Sequence, residues 1–253
     1  MTAHSWIAGL LCMGLSAPAI AITNIESHRA PSTDDGVGGQ FRLTAAGKTG
    51  NTDKHSLSGQ LRLDRHHGAT HWFLIGSSEY GESNGEKNTQ NNFAHLRRIA
   101  TLSDDWAWEI FAQYQDDAFR LLDARSLLGT GLRRHLIPDT GEQRLAIGAG
   151  AYYTREVYDL TSRRLQEDYA RGNAYLSLQL PLNAQSTLSN ITYLQPRLDH
   201  LEDFYAYNDL SLQVNVAGSV FLRVALESRY DSHPVADVET TDHSYTTALV
   251  IDF

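Results

Sequence analysis

SYTTALVIDF, residues 244–253, closes the chain on an aromatic residue preceded by alternate apolar ones. In an extended strand successive side chains point to opposite faces, so Tyr245, Leu249, Ile251 and Phe253 share one face. Between them Ser244, Thr246, Ala248, Val250 and Asp252 take the other. A strand that ends in this way is expected to carry the assembly signal of an outer-membrane barrel, offered to periplasmic chaperones and the barrel-assembly machinery.

The same period-two pattern extends upstream. Leu57, Gly59, Leu61 and Leu63 alternate with Ser58, Gln60, Arg62 and Asp64. Leu210, Leu212, Val214 and Val216 alternate with Asp209, Ser211, Gln213 and Asn215, and Val220, Leu222, Val224 and Leu226 face away from Arg223, Glu227 and Arg229. The alternation predicts twelve strands, over 39–49, 55–65, 69–80, 91–101, 106–115, 125–135, 144–154, 169–180, 186–194, 207–216, 219–230 and 244–253. The fourth is the weakest, because Arg97 and Arg98 put a charge on each face, and ten strands is the fallback.

Alternation alone describes any half-buried sheet. Four strands carry an aromatic, or an apolar–aromatic pair, eight residues apart on one face: Trp72 and Tyr80, Trp106 and Tyr114, Leu145 and Tyr153, Tyr245 and Phe253. Eight residues at ~3.3 Å each cover about 26 Å of strand, or roughly 20 Å when tilted, which approximates the apolar band of a membrane barrel between its two aromatic rims. The fold class expected is therefore all-β, a transmembrane antiparallel β-barrel. Its short connections are expected at 66–68, 103–105, 138–143, 181–185 and 217–218, and its longer ones at 81–90, 157–168, 199–204 and 231–243, with 50–54 a short exception.

An apolar run from Trp6 to Leu15 leads into Ala19 and Ala21, the small-residue spacing of a signal-peptidase site. The run is too short to span a bilayer as a helix. Residues 1–21 are read as a cleaved signal peptide, 22–37 as a mobile periplasmic lead-in and 38–253 as the barrel, which places the protein in the outer membrane of a Gram-negative bacterium. The single cysteine, Cys12, falls inside the signal, so disulfides, thiolate metal sites and cysteine catalysis are excluded from the barrel. A net charge of −9 argues against nucleic acid as a partner. Outer-membrane lipids are the expected surroundings, and the chain is expected to be a monomer.

Several short motifs, taken in order, carry a family resemblance. They are Gly47-Lys48-Thr49-Gly50-Asn51-Thr52, Gln113 and Asp117 after Trp106, Arg125-Ser126-Leu127-Leu128-Gly129-Thr130-Gly131-Leu132, and the run from Ala146 to Tyr153. Over residues 40–253 the chain resembles the YdiY-like salt-induced outer-membrane proteins, domain of unknown function 481. The resemblance implies an outer-membrane barrel and brings no established catalytic or binding residue.

No arrangement in the sequence demands catalysis. His55-Ser56 and His243-Ser244 are neighbours that point to opposite faces, and Ser83-Asn84-Gly85 has Gly81 where a phospholipase-like base would stand. His67 and His71 share a face but sit about 13 Å apart along the chain, so with His66 they are expected to be solvated turn residues; no metal and no cofactor is expected. The glycines around Gly129-Gly131 and Gly148-Gly150 precede no helix and are expected to permit close packing or curvature. With the apolar face outside, Arg42, Lys48, Arg62, Asp64, Glu109, Arg125, Arg133, Arg171, Asp209, Arg223, Glu227, Arg229 and Asp252 point inward. They are expected to pair into a network that fills the lumen, and losing Arg223 or Arg229 is expected to strand Glu227 or Asp209. The function expected is that of a structural or envelope-stress barrel with no enzymatic activity. A small diffusion channel is the alternative, and a lipid-modifying enzyme the second.

Overall fold

The computed structural model describes residues 35–48, 54–137, 143–160, 163–218, 220–235 and 239–251. Among them run twelve strands: β1 (Gly36–Lys48), β2 (Lys54–His67), β3 (Thr70–Ser83), β4 (Glu86–Thr101), β5 (Trp106–Asp117), β6 (Leu122–Ile137), β7 (Arg144–Leu160), β8 (Arg163–Asn183), β9 (Ser186–Pro196), β10 (Phe204–Ala217), β11 (Val220–Asp231) and β12 (Thr241–Ile251). Each pairs antiparallel with its neighbour in chain order, forming one twelve-stranded meander. The count of twelve is the expected one, and the fallback of ten is set aside. Ala19, Ala21 and Phe253 lie outside the described residues.

Several strands are longer than the alternation indicates. β3 and β4 continue to a two-residue turn at Asn84 (φ 52°) and Gly85 (φ 81°), so no long loop spans 81–90. Both central residues have positive φ, the conformation that Asn-Gly favours in a tight hairpin. β7 continues to Leu160 and β8 starts at Arg163, which removes most of the connection expected at 157–168. The physical reason is common to both. Beyond the apolar stretch both faces are polar, so the two-residue hydrophobic signal disappears while backbone pairing continues. β1 begins at Gly36, so the last residues assigned to the lead-in belong to the sheet. Longer connections remain after β9 and β11, and β5 passes to β6 through a 3-10 turn, Ala118–Arg120, where the Asp117 carboxylate accepts from the Phe119 N–H.

The sheet curls round a lumen. Arg125 of β6 lies over the Tyr205 ring of β10, 5.4 Å from its centre, although four strand steps separate them in the sheet. Facing the lumen are an aromatic cluster of Tyr175, Ile191, Tyr193, Tyr205 and Tyr207, and a second of Phe73, Ile75, Ile99 and Ala107. Arginines and carboxylates are buried among them. The outer face is the reverse. Leu96, Leu128, Leu132, Leu210, Leu222, Val224 and Leu226 are exposed there, as are Trp72, Tyr80, Trp106, Tyr114, Tyr153 and Tyr245. Arg98 spans Trp72 and Trp108, and Arg134 covers Trp106, so near the short-turn end the outer aromatics are clasped by guanidinium groups. Arg97 and Arg98, which blurred the fourth strand, are thus divided between the lumen and the outer rim. No helix among the described residues is long and apolar enough to cross a membrane, which says nothing of a barrel.

Candidate functional site

The lumen side of β4–β10 concentrates the charge, in two layers. The lower lies toward the short turns. Arg97 of β4 donates to Glu109 of β5 at 3.0 Å, and both side chains are only 4% exposed. The Tyr175 hydroxyl of β8 donates to the same carboxylate at 3.2 Å and accepts from Arg133 of β6 at 3.3 Å. Tyr175 reaches so far because Gly148 of β7 lies beneath its ring: a Cβ at Gly148 would come within 2.1 Å of it. Gly129 makes the same room for Phe111, whose ring would be 2.4 Å from an added Cβ. Gly131 and Gly150 are register partners whose added Cβ atoms would strike the neighbouring strand's backbone. The glycine-rich stretches therefore do provide the close packing expected of them.

The upper layer lies toward the loops. Arg125 of β6 faces its register partner Glu156 of β7 at 3.0 Å, with exposures of 3% and 1%. Tyr158 donates to the other oxygen of Glu156 at 2.7 Å. Arg125 donates to the Tyr152 hydroxyl, which donates to Gln195, which donates to Asn173. Arg171 of β8 donates to Asp203 at 2.6 Å, to the backbone carbonyls of Gln195 and Asp203, and lies 3.8 Å from the Tyr205 ring centre. Burial of Arg97, Arg125 and Arg171 is tolerable because each meets a carboxylate and further hydrogen bonds. In the exposed loop after β9, Arg197 donates to Asp199 at 2.7 Å and holds that carboxyl below its ordinary pKa.

The other inward charges lie on flanking strands. Arg229 and Glu227 of β11 pair at 2.7 Å in a half-buried setting, with Arg229 also near the Tyr207 ring. Arg223 donates to the Ser211 hydroxyl at 3.4 Å, a neutral partner, and Asp209 is buried on β10. Glu227 is thus a carboxylate that Arg229 serves. On β2, Arg62 grips Asp64 through both oxygens, at 2.7 and 2.8 Å. Arg42 stands opposite Gln60 in the register and Lys48 opposite Lys54; their side chains, like Asp252, lie outside the described residues. Leu249 and Ile251 stand in β12 opposite Leu222 and Val220, and Tyr245 is exposed beside Leu226.

Sequence reasoning missed Arg97, His95, Glu156 and Asp203. Glu156 lies just past the end expected for the seventh strand, at 154, although Tyr152, Thr154 and Glu156 continue one face of β7. It also missed what the hairpins bring together. His66 and His71 are register partners with stacked rings, half-buried on the lumen side, so they are not solvated turn residues; only His67 is exposed. Separation along the chain, which sets His67 and His71 apart, does not apply to His66 and His71, because the β2–β3 hairpin makes them register partners. Likewise a serine–histidine contact forms between strands, His243 Nδ1 to Ser228 Oγ at 3.0 Å, which adjacency in the sequence does not show. It is exposed, and a hydroxyl–imidazole contact alone does not make a nucleophile without a group that orients the ring.

A family model described as "Protein of unknown function, DUF481" matches residues 42–253. The chain belongs to this family. No curated protein matches it. Among solved structures it is similar to the translocator domain of the autotransporter NalP from Neisseria meningitidis, at 11% identity, over 86% of this chain and 87% of that one, with a TM-score of 0.45. It is also similar to the NanC porin, at 13% identity, over 86% and 98% of the two chains, with a TM-score of 0.47. Neither likeness bears on what this member of the DUF481 family does.

Proposed function

We propose that this protein is an outer-membrane β-barrel of structural or envelope-stress type, with a lumen closed by its own side chains and no catalytic chemistry. The membrane reading is supported by an outer face of exposed leucine, valine and aromatic side chains on strands that pair with their neighbours in one antiparallel meander. The envelope-stress part rests on the resemblance to salt-induced proteins. Lipids of the outer membrane and the barrel-assembly machinery are its proposed partners.

The observation that carries the closed lumen is the ion pair of Arg125 and Glu156, hidden from solvent and joined by hydrogen bonds and ring contacts to β8, β9 and β10. A barrel wider than about eight strands needs more than small side chains to fill it. Here tyrosines and arginines reach across instead. A water-filled passage would hold its charged walls apart and solvated, which is the opposite of these contacts. The test is conductance. The purified protein in a planar bilayer should give no steady current, while urea-washed membranes retain it. Stable, charge-selective single-channel currents would make it a diffusion channel, and recovery in the soluble periplasmic fraction would remove it from the membrane.

A further inference from the structure

Beyond the closed lumen, we propose that Asp64, His66 and His71 form a binding site for a divalent transition-metal cation of the zinc class, inside the short-turn end of the barrel. His66 of β2 and His71 of β3 are register partners, and their rings stack with centres 3.8 Å apart and planes 16° from parallel. Stacking holds the nitrogens of the two rings side by side, and a tilt of the rings out of the stack turns both lone pairs to one point. Asp64 stands two residues before His66, hence on the same face, with Oδ1 3.0 Å from His71 Nε2. One ligand atom from each of the three lies within 4.8 Å of the others. Zinc with bonds of about 2.1 Å wants its ligand atoms roughly 3.4 Å apart, so side-chain rotations of about an ångström close the site.

Two further observations point to a ligand. His66 Nε2 is buried and has no hydrogen-bond partner. Such an atom carries a desolvation cost that a metal bond would remove. The approach is also open: the register partners of His66 and Asp64 on β1 are Gly36 and Gly38, and a Cβ on either would touch nothing. Room is left for the cation and a water, while Phe73 lies against His71 on the other side. Arg62 does not need to leave. Its Nε contact to Asp64 Oδ2 keeps the carboxylate oriented, as outer partners of metal ligands commonly do, while Oδ1 gives up its contacts with Arg62 Nη2 and His71 Nε2 for the cation. Binding frees His71 Nε2 of any proton it shares with Asp64, which passes to Nδ1 of a neutral ring or, from an imidazolium, to solvent, and three bonds to the metal form.

The experiment is titration of the refolded full chain in detergent micelles, with Zn2+ by calorimetry and with Co2+ by its visible absorption. One saturable equivalent is expected, with a cobalt spectrum of mixed nitrogen and oxygen ligation. His66→Ala, His71→Ala and Asp64→Asn should each lose the saturable phase, and His67→Ala should keep it. A parent that binds no metal saturably, or His66→Ala and His71→Ala variants that bind as the parent does, would overturn the site. Should a variant fail to fold, isotope-labelled histidine in the parent decides. Two imidazoles must shift together and stop at one equivalent of Zn2+, and the absence of such a pair is equally fatal.

Discussion

Two ion pairs of one chemistry stand on the inner face of this barrel in different settings. Arg125 and Glu156 meet between β6 and β7 with exposures of 3% and 1%; Arg229 and Glu227 meet along β11 at 12% and 30%. The contact is 3.0 Å in the first and 2.7 Å in the second, so distance does not separate them. What differs is the surroundings. The first pair is roofed by Tyr152, Tyr158 and Tyr205, whereas the second has the Tyr207 ring on one side. Desolvation makes a lost partner expensive in the first case, and solvent softens the loss in the second.

The largest effect should follow Glu156→Gln, which leaves the Arg125 guanidinium buried without its counter-charge. A destabilisation of about 3–5 kcal/mol is expected, read as the loss of the heat-modifiable folded band in a urea series. A midpoint equal to the parent's would mean that water reaches this layer, and the comparison would fail.

An intermediate effect should follow Gly148→Ala. The new Cβ collides with the Tyr175 ring, so the tyrosine must swing away from Glu109 and Arg133, at a cost of about 1–3 kcal/mol. Combining it with Tyr175→Ala should cost less than the two single changes added together, because one clash is removed by either means. Strict additivity would show that Gly148 and Tyr175 are not coupled, and that the lower layer is not held across β7.

The smallest effect should follow Arg229→Ala. Glu227 keeps partial hydration, so about 1 kcal/mol or less is expected from the same urea series. A loss equal to that of Glu156→Gln would erase the difference between the two regions. Arg223 and Arg229 had been expected to be the sensitive arginines, and Arg223 in fact faces a serine hydroxyl.

The legible part of this protein is the part with hydrophobic contrast. Strands β2, β5, β9 and β11 could be read closely because leucine, valine and tryptophan alternate there with polar residues. β4, β7 and β8 extend beyond the expected bounds, because residues 86–90, 155–160 and 163–168 offer little contrast between faces. The Asn84-Gly85 turn could have been found, since that dipeptide with positive φ at both positions is a strong hairpin signal. For the interior, alternation assigned inward faces to Glu109, Arg125 and Arg171 but could not say what each would meet.

Sequence alone thus determined that the chain is all strand, which side chains share a face, and that apolar and polar faces oppose each other. These follow from a two-residue period that every strand carries locally. Only the tertiary structure decided the pairings: Arg125 with Glu156, Tyr175 with Glu109 across two intervening strands, and His66 with His71. Pairing depends on register, register depends on where each hairpin turns, and a shift of a single residue sends every side chain to the opposite face. The contacts that fill the lumen come from strands far apart in the chain, brought together by the curl of the whole sheet, and no local stretch of sequence encodes that curl.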